Sequence, residues 1–136
     1  MRFENEFEFL SNFIPCEIVV LELKFPTLEH AYQASKTLWE SERIAISQLP
    51  TPGKAKRMGK KIHLRSDWEK IRINIMFELL QQKFSQPLFK DLLLQTGDIE
   101  IVEDTWDEQF WGVVDGIGEN NLGKLLMKVR DNLRNN

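Results

Sequence analysis

Cysteine and histidine are scarce in this sequence. Its 136 residues include one cysteine, Cys16, and two histidines, His30 and His63. A single cysteine excludes an intramolecular disulfide and a cysteine-based metal site, and two histidines do not favour a zinc site. We therefore expect no metal and no cofactor, and a protein of a reducing compartment.

Long apolar runs are also missing. No segment approaches the roughly 18–20 apolar residues that cross a bilayer. The first ten residues, MRFENEFEFL, are acidic and lack the basic start and apolar run of a signal peptide. Internal repeats, low-complexity segments and linkers are absent as well. These absences predict a cytoplasmic protein without a membrane partner.

The composition that remains is that of a globular chain. Hydrophobic residues make up 42% and charged residues 29% of the sequence, and a length of 136 residues suits one domain that spans 1–136. The formal charge of −3 argues against a general nucleic-acid binder, although charge can still be concentrated locally. Oligomeric state is not predicted.

Helix signals dominate, so the predicted fold class is mainly α with a small β component. The β component is a strand or hairpin in EIVVLELKF and a strand in IEIV. Helices are expected from Thr27 to about Trp39, in SERIAISQL, in TPGKAKRMGKK, in SDWEKIRINIMFELLQQKF with a Ser66–Glu69 capping box, in PLFKDLLLQT ending at Gly97, and in NNLGKLLMKVRDNLR. A long loop is expected between Thr105 and Glu119.

The stretch FPTLEHAYQASK places three reactive side chains on one helix face. Glu29, Gln33 and Lys36 are four and three residues apart, which is the spacing of neighbours on a helix. One interpretation is a solvated surface in which Glu29 favours the helix start. The other is a pocket wall, with Glu29 as general base or electrostatic stabiliser and Lys36 as anion contact or proton donor.

A basic cluster follows in an otherwise acidic chain. It contains Lys54, Lys56, Arg57, Lys60, Lys61, His63 and Arg65. Such a run is typical of a solvated helix face. It is equally suited to a phosphate contact, because the arginine fork makes two parallel hydrogen bonds and nearby glycines let backbone approach a ligand.

The loop VEDTWDEQFWGVVDGIGEN combines carboxylates with aromatic rings. We assign Trp39 to the core, whereas Trp111, next to Gly112, is better placed to stack on a flat heterocycle. The spacing of the loop carboxylates does not match a known calcium loop. A carboxylate beside a sugar would instead serve glycosidic cleavage, in which charge develops at the anomeric carbon.

Six segments, in this order, resemble the YbiA-like branch of the NADAR superfamily from about residue 9 to residue 130. They are FLSNFIP, FPTLEHAYQASK, AKRMGKKIHLRSDWEKIRINIMFELLQQKF, LLLQTGDIEIVED, FWG and NNLGKLLMKVR. The resemblance implies a mainly helical domain with N-glycosidase activity. Bacterial relatives cleave the C–N bond between ribose phosphate and the amine of early riboflavin-biosynthesis intermediates, and other members remove ADP-ribose from guanine in nucleic acid.

The resemblance also implies site residues. Glu29 is the best catalytic candidate, with Lys36 and Glu108 beside it. The positions that match the family's substrate-binding motifs are Ser11, Asn12, Phe13, His30, Gln33, Lys56, Arg57, Gly59, Trp68, Glu103, Trp111, Gly112 and Asn120. The chain departs from the family in having Glu108 where many relatives have aspartate, and Val113 and Val114 where glycine often follows.

These residues support a hypothesis of hydrolysis through an oxocarbenium-like transition state. Arg57 and Lys56 would hold the phosphate, and Trp111 or Trp68 would stack on the base. Glu29 would orient water, and Lys36 would protonate the leaving nitrogen or, with a pKa lowered by burial, trap the opened sugar as an imine. The alternatives are a hydrolase acting on ADP-ribosylated guanine and a module that binds ADP-ribose or NAD without cleaving it.

Overall fold

A β-hairpin forms the sheet of this protein. The computed structural model describes residues 1–136. Strand β1 (Pro15–Val20) pairs antiparallel with β2 (Leu23–Thr27), and the two turn residues between them both have positive φ. A two-residue turn with positive φ at both positions matches the twist of the strands it joins. The sequence predicts a strand or a hairpin in EIVVLELKF, and the structure contains the hairpin.

Six α-helices and one short 3₁₀ helix account for most of the remaining chain. They are the 3₁₀ helix Asn5–Leu10, α1 (Leu28–Ala34), α2 (Glu40–Ser47), α3 (Pro52–Met58), α4 (Trp68–Ser85), α5 (Pro87–Gln95) and α6 (Asn121–Arg134). The mainly helical fold class with a small β component is confirmed. No helix combines the length and the apolar composition that a bilayer crossing needs.

The chain divides into two compact units. The central unit, residues 12–79, contains the hairpin, α1, α2, α3 and the start of α4. Within it, α1 contacts both strands, α2 and α3, and every α1 residue is buried. The terminal unit, residues 1–11 and 80–136, contains the 3₁₀ helix, the end of α4, α5 and α6. In this unit α5 contacts both the 3₁₀ helix and α6.

Two predicted helix boundaries are wrong. Helix α1 ends at Ala34 and not near Trp39, because the chain turns after Ser35. Helix α4 begins at Trp68, so the Ser66–Glu69 capping box does not form. The carbonyl of Asp67 instead accepts the amides of Lys70 and Ile71.

The strand predicted in IEIV does not form either. Side chains and the chain terminus, not a neighbouring strand, bind the backbone of this segment. The amide side chain of Asn120 bonds Ile101 O and the backbone N–H of Glu103, and the amino terminus of Met1 donates to Val102 O. Since these groups are already satisfied, the segment has no need of a strand partner.

Candidate active site

Helix α1 carries Glu29 into a buried position. The hydroxyl of Thr27, in extended conformation, accepts the backbone N–H of His30 at 3.1 Å and so caps the helix. Both strands, α2 and α3 pack against this helix, all of its residues are buried, and Glu29 is only 7% exposed. This burial excludes the interpretation of α1 as a solvated surface helix.

Glu29 and Gln33 contact each other as their spacing predicts. Gln33 Nε2 donates to Glu29 Oε1 at 2.9 Å, and both residues are buried. The backbone N–H of Glu29 donates to Asn12 O at 3.1 Å, which ties the helix start to the preceding segment. The carboxylate is therefore held in one orientation by the helix and by an amide.

Lys36 lies in the turn that follows α1. Its backbone N–H donates to Gln33 O at 3.2 Å, and its side chain is half-buried. Burial lowers the pKa of Lys36, the Glu29 carboxylate opposes this by raising it, and positive charges on Lys56, Lys60 and Arg72 lower it further. A lysine in this environment has more neutral amine near neutral pH than an exposed lysine, and neutral amine is the nucleophilic form.

Helix α3 and the turn after it present cations in two directions. Gly59 faces α1 so closely that a Cβ there would overlap Gln33 Oε1 and lie 2.7 Å from Gln33 Cδ. Lys56 and Lys60, three residues before and one after Gly59, are two of the cations that act on Lys36. Arg57 instead lines a surface pocket together with Lys54 and Lys61. The predicted basic cluster is thus split between two places.

Trp68 forms part of the wall beside α1. It is 4% exposed, and its ring lies 5.2 Å from the ring of Tyr32 at an angle of 56°. The ammonium of Lys36 lies 5.8 Å from the centroid of the Tyr32 ring. Trp68 therefore packs as a buried aromatic residue that supports the Lys36 region.

His30 is fully buried, and both of its ring nitrogens are bonded to protein. Nδ1 is 2.7 Å from Thr27 Oγ1 and Nε2 is 2.9 Å from Leu49 O. Desolvation by burial lowers the pKa of His30, although its bond with the Leu49 carbonyl raises it. The substrate contact expected of His30 has no support in this geometry, which fits a residue that anchors α1.

In the segment Ser11–Phe13, one buried side-chain oxygen receives no hydrogen bond. Asn12 Oδ1 is buried without a hydrogen-bond partner, whereas its Nδ2 lies 3.6 Å from Met76 Sδ. Phe13 is 42% exposed. Ser11 belongs to the terminal unit, where its carbonyl accepts from Lys83 Nζ at 2.9 Å.

Trp39 is not a core residue, contrary to prediction. It is 52% exposed, and its ring stacks on His63 at 3.4 Å and 15°. The His63 ring and backbone N–H are in turn held by the Glu42 carboxylate, with His63 Nδ1 3.0 Å from Glu42 Oε2. Because α1 ends at Ala34, Trp39 lies just before α2 and not on the buried face of α1.

In the terminal unit, Glu108 organises the long loop. Its Oε2 accepts the backbone N–H groups of Phe110 and Trp111 at 2.6 and 3.0 Å. The hydroxyl of Thr105 bonds both the N–H and the carbonyl of Glu108. These contacts support a structural role for the Glu108 carboxylate in fixing the position of Trp111.

Three other predicted residues also shape this loop. A Cβ at Gly112 would lie 2.6 Å from Glu103 O, so only glycine fits there. Asn120 is buried in left-handed conformation, and its side chain bonds Ile101 O and the Glu103 N–H. The family motifs in this unit therefore include residues that hold backbone segments together.

Two residues near Lys36, Tyr32 and Arg72, were not predicted as site residues, and a third, Lys60, was named only as a member of the basic cluster. Arg72 is four residues after Trp68, so the helical spacing that picks out Trp68 also places Arg72 on the same face. No group of three or more histidine, cysteine, aspartate or glutamate side chains is arranged to hold a metal ion.

The chain is similar to several named proteins. It is 39% identical over 127 residues to the N-glycosidase YbiA of Escherichia coli, which covers 90% of this chain and 79% of that protein. It is 36% identical to an N-glycosidase of Nostoc punctiforme, over 92% of this chain and 85% of that protein. A riboflavin biosynthesis protein of Vibrio vulnificus is 38% identical, and this chain spans only 35% of its length.

Fold and family agree with these similarities. The NMR structure of the Escherichia coli protein YbiA matches with a TM-score of 0.87 and 35% identity, over 98% of this chain and 84% of that one. The NADAR domain model matches residues 2–134, which is nearly the whole chain. The chain therefore belongs to the NADAR family.

Proposed function

We propose that this protein is an N-glycosidase that hydrolyses the C–N bond between ribose 5-phosphate and the amine of early riboflavin-biosynthesis intermediates. The names of its relatives support both the reaction type and the pathway. The observation that carries the proposal is the pairing of a buried, oriented carboxylate, Glu29, with Lys36, whose pKa is lowered mainly by burial. Solvated surface residues do not acquire this combination.

The lowered pKa favours the covalent route over simple proton donation by Lys36. In that route the neutral Lys36 amine bonds to ribose C1 as the bond from C1 to the substrate nitrogen breaks, and one proton passes from Lys36 to the leaving amine. The sugar ring then opens as the C1–O4 bond breaks and the remaining N–H proton of Lys36 moves to O4, which leaves an imine. Water hydrolyses this imine, which releases ribose 5-phosphate and restores the Lys36 amine. Glu29 would carry the proton from Lys36 to the leaving nitrogen and would later accept one from the attacking water.

The phosphate would be held by the cations that act on Lys36. Lys56, Lys60 and Arg72 supply three positive charges from α3, the turn after it and α4. Phosphate recognition by several such charges is common because charge-assisted hydrogen bonds are strong. Asn12 Oδ1, a buried acceptor that lacks a donor, suits a ribose hydroxyl. We also infer that residues 1–136 act as one domain.

Two variants test the proposal. Purified protein is incubated with the ribosylamino-pyrimidine phosphate, and released ribose 5-phosphate is measured. We expect Glu29→Gln to lose about 100-fold or more of the rate, the usual effect of a general acid or base, while Glu40→Gln, on the exposed start of α2, keeps it. Sodium borohydride should trap a covalent adduct in wild type and none in Lys36→Arg.

Other substrates are assayed in the same experiment. An inert wild type or a fully active Glu29→Gln variant would contradict the proposal. Loss of the modification from an oligonucleotide with ADP-ribosylated guanine, without turnover of the small metabolite, would support the hydrolase alternative. Tight binding of ADP-ribose that stays intact after long incubation would support the binding module.

A further inference from the structure

A surface pocket between α2 and α3 lies outside the site described above. Its volume is about 540 Å³, within the range of about 300–1,000 Å³ that is usual for small-molecule sites. All of its lining residues belong to the central unit. They are Glu42, Leu49, Lys54, Arg57, Met58, Lys61 and Ile62.

The pocket contains three cations that have no anionic partner. Lys54, Arg57 and Lys61 make no ion pair, and their side chains make no hydrogen bond in the structure. Arg57 is the one arginine of the chain without a side-chain hydrogen bond, ion pair or ring contact. Each of the others has one, as with Arg65 and Asp67 at 2.7 Å or Arg2 over the Trp106 ring at 3.9 Å. An arginine fork left open beside two lysines is suited to an external anion.

The single carboxylate in the pocket, Glu42, already accepts hydrogen bonds from neighbouring groups. Thr37 Oγ1 donates to Glu42 Oε1 at 2.6 Å, and the His63 N–H donates to the same oxygen at 3.0 Å. The other oxygen, Oε2, lies 3.0 Å from His63 Nδ1. Glu42 therefore turns its acceptors toward Thr37 and His63, and the net charge of the pocket lining is positive.

The pocket is separate from the cations around Lys36. Residues 54, 57, 58 and 61 line the pocket, whereas Gly59 meets α1 at Gln33 and residues 56 and 60 act on Lys36. Arg57, Lys54 and Lys61 are not among the charges that act on Lys36. The helix thus stands between two cationic surfaces.

We propose that the pocket between α2 and α3 is a second binding site, which takes a phosphate-bearing organic molecule of nucleotide size. Arg57, with Lys54 and Lys61, would bind the phosphate by charge-assisted hydrogen bonds. Leu49, Met58 and Ile62 would contact an apolar or flat body of the ligand. The volume exceeds what inorganic phosphate alone would fill, so the organic part contributes to binding.

Calorimetry with adenosine 5′-monophosphate and with inorganic phosphate tests this site. The pocket variant is Lys54→Gln with Lys61→Gln, and the matched control is Lys70→Gln with Lys124→Gln, two exposed lysines outside the pocket. We expect the pocket variant to bind adenosine 5′-monophosphate at least about tenfold more weakly than wild type, a difference of about 1.4 kcal/mol, and the control to bind like wild type. Inorganic phosphate should bind more weakly than the nucleotide.

The proposal fails if wild type does not bind the nucleotide at millimolar concentration, or if the pocket and control variants bind equally. It also fails if Lys56→Gln with Lys60→Gln abolishes binding while the pocket variant does not, since the ligand would then be in the Lys36 region. Release of ribose 5-phosphate by the pocket variant should equal that of wild type. The two proposals can therefore fail independently, one by calorimetry and the other by the hydrolysis assay.

Discussion

At the scale of single residues, two tryptophans that the sequence predicts to be buried differ in their exposure. Trp39 is half-exposed, whereas Trp68, for which the sequence predicts both a core-facing position and contact with the substrate base, is 4% exposed and packs on Tyr32. Sequence identifies a tryptophan as a large apolar side chain but does not say where the helix before it ends. Because α1 ends at Ala34, Trp39 lies outside this buried helix and is exposed.

The two tryptophans should differ sharply in their contribution to stability. Trp68→Ala removes a buried ring and should lower the free energy of unfolding by about 3–5 kcal/mol. Trp39→Ala removes an exposed ring that stacks on His63 and should cost no more than about 1 kcal/mol. Urea denaturation of both variants beside wild type measures the difference. Equal losses would mean that Trp39 is buried in solution.

At the scale of secondary-structure elements, the contact between α1 and α3 sets up the site. Gly59 lets α3 approach Gln33, and Gln33 in turn holds the Glu29 carboxylate. The sequence predicts the order of the two helices and their starts at Thr27 and Thr51, and in the structure both threonines cap their helices. The need for glycine at position 59 was not, because it depends on a side chain 26 positions earlier.

Gly59→Ala tests this contact. The added methyl group would overlap Gln33 Oε1, so Gln33 or α3 must move. We expect a loss of about 1–3 kcal/mol in the free energy of unfolding, the usual range for overpacking, together with a lower hydrolysis rate. Gly53→Ala, where nothing lies within 4 Å of the new Cβ, is the control and should be neutral or slightly stabilising. Identical midpoints for the two variants in urea would contradict the tight contact.

At the scale of the whole molecule, positive charges gather around Lys36 although the net charge of the chain is negative. The chain has a formal charge of −3, yet Lys36 is influenced by three other cations that come from α3, the turn after it and α4. Net charge argues against a general nucleic-acid binder but says nothing about such a local arrangement. The folded chain, by bringing residues 36, 56, 60 and 72 together, creates the electrostatic environment of Lys36.

The rate of borohydride trapping should therefore depend on pH through Lys36. The reactive form is the neutral amine, so trapping should rise with pH and level off below the ordinary lysine value of 10.5. Lys56→Gln and Lys60→Gln each remove a charge that lowers the pKa of Lys36, so they should move the midpoint to higher pH. Lys54→Gln, on the opposite face of α3, should leave it unchanged. A midpoint that does not respond to Lys56 or Lys60 would contradict this account.

The sequence by itself predicted the helical class, a strand or hairpin in EIVVLELKF, the starts of α1 and α3 and the shared helix face of Glu29 and Gln33. All of these depend on local spacing, caps and turn residues, which a chain carries whatever its tertiary fold. Six family motifs in order also identified the family, which the match over residues 2–134 confirms.

Only the tertiary structure decided which side chains are buried and which cations act together. His30 is hydrogen-bonded to Leu49 O, and the Glu108 carboxylate accepts the backbone N–H of Trp111 in its own loop. Some residues of the basic cluster act on Lys36, and others line the α2–α3 pocket. Burial and electrostatic coupling depend on neighbours that are distant in sequence. Residues of one motif, such as Lys56 and Arg57, can therefore be adjacent in the chain and serve different surfaces of the molecule.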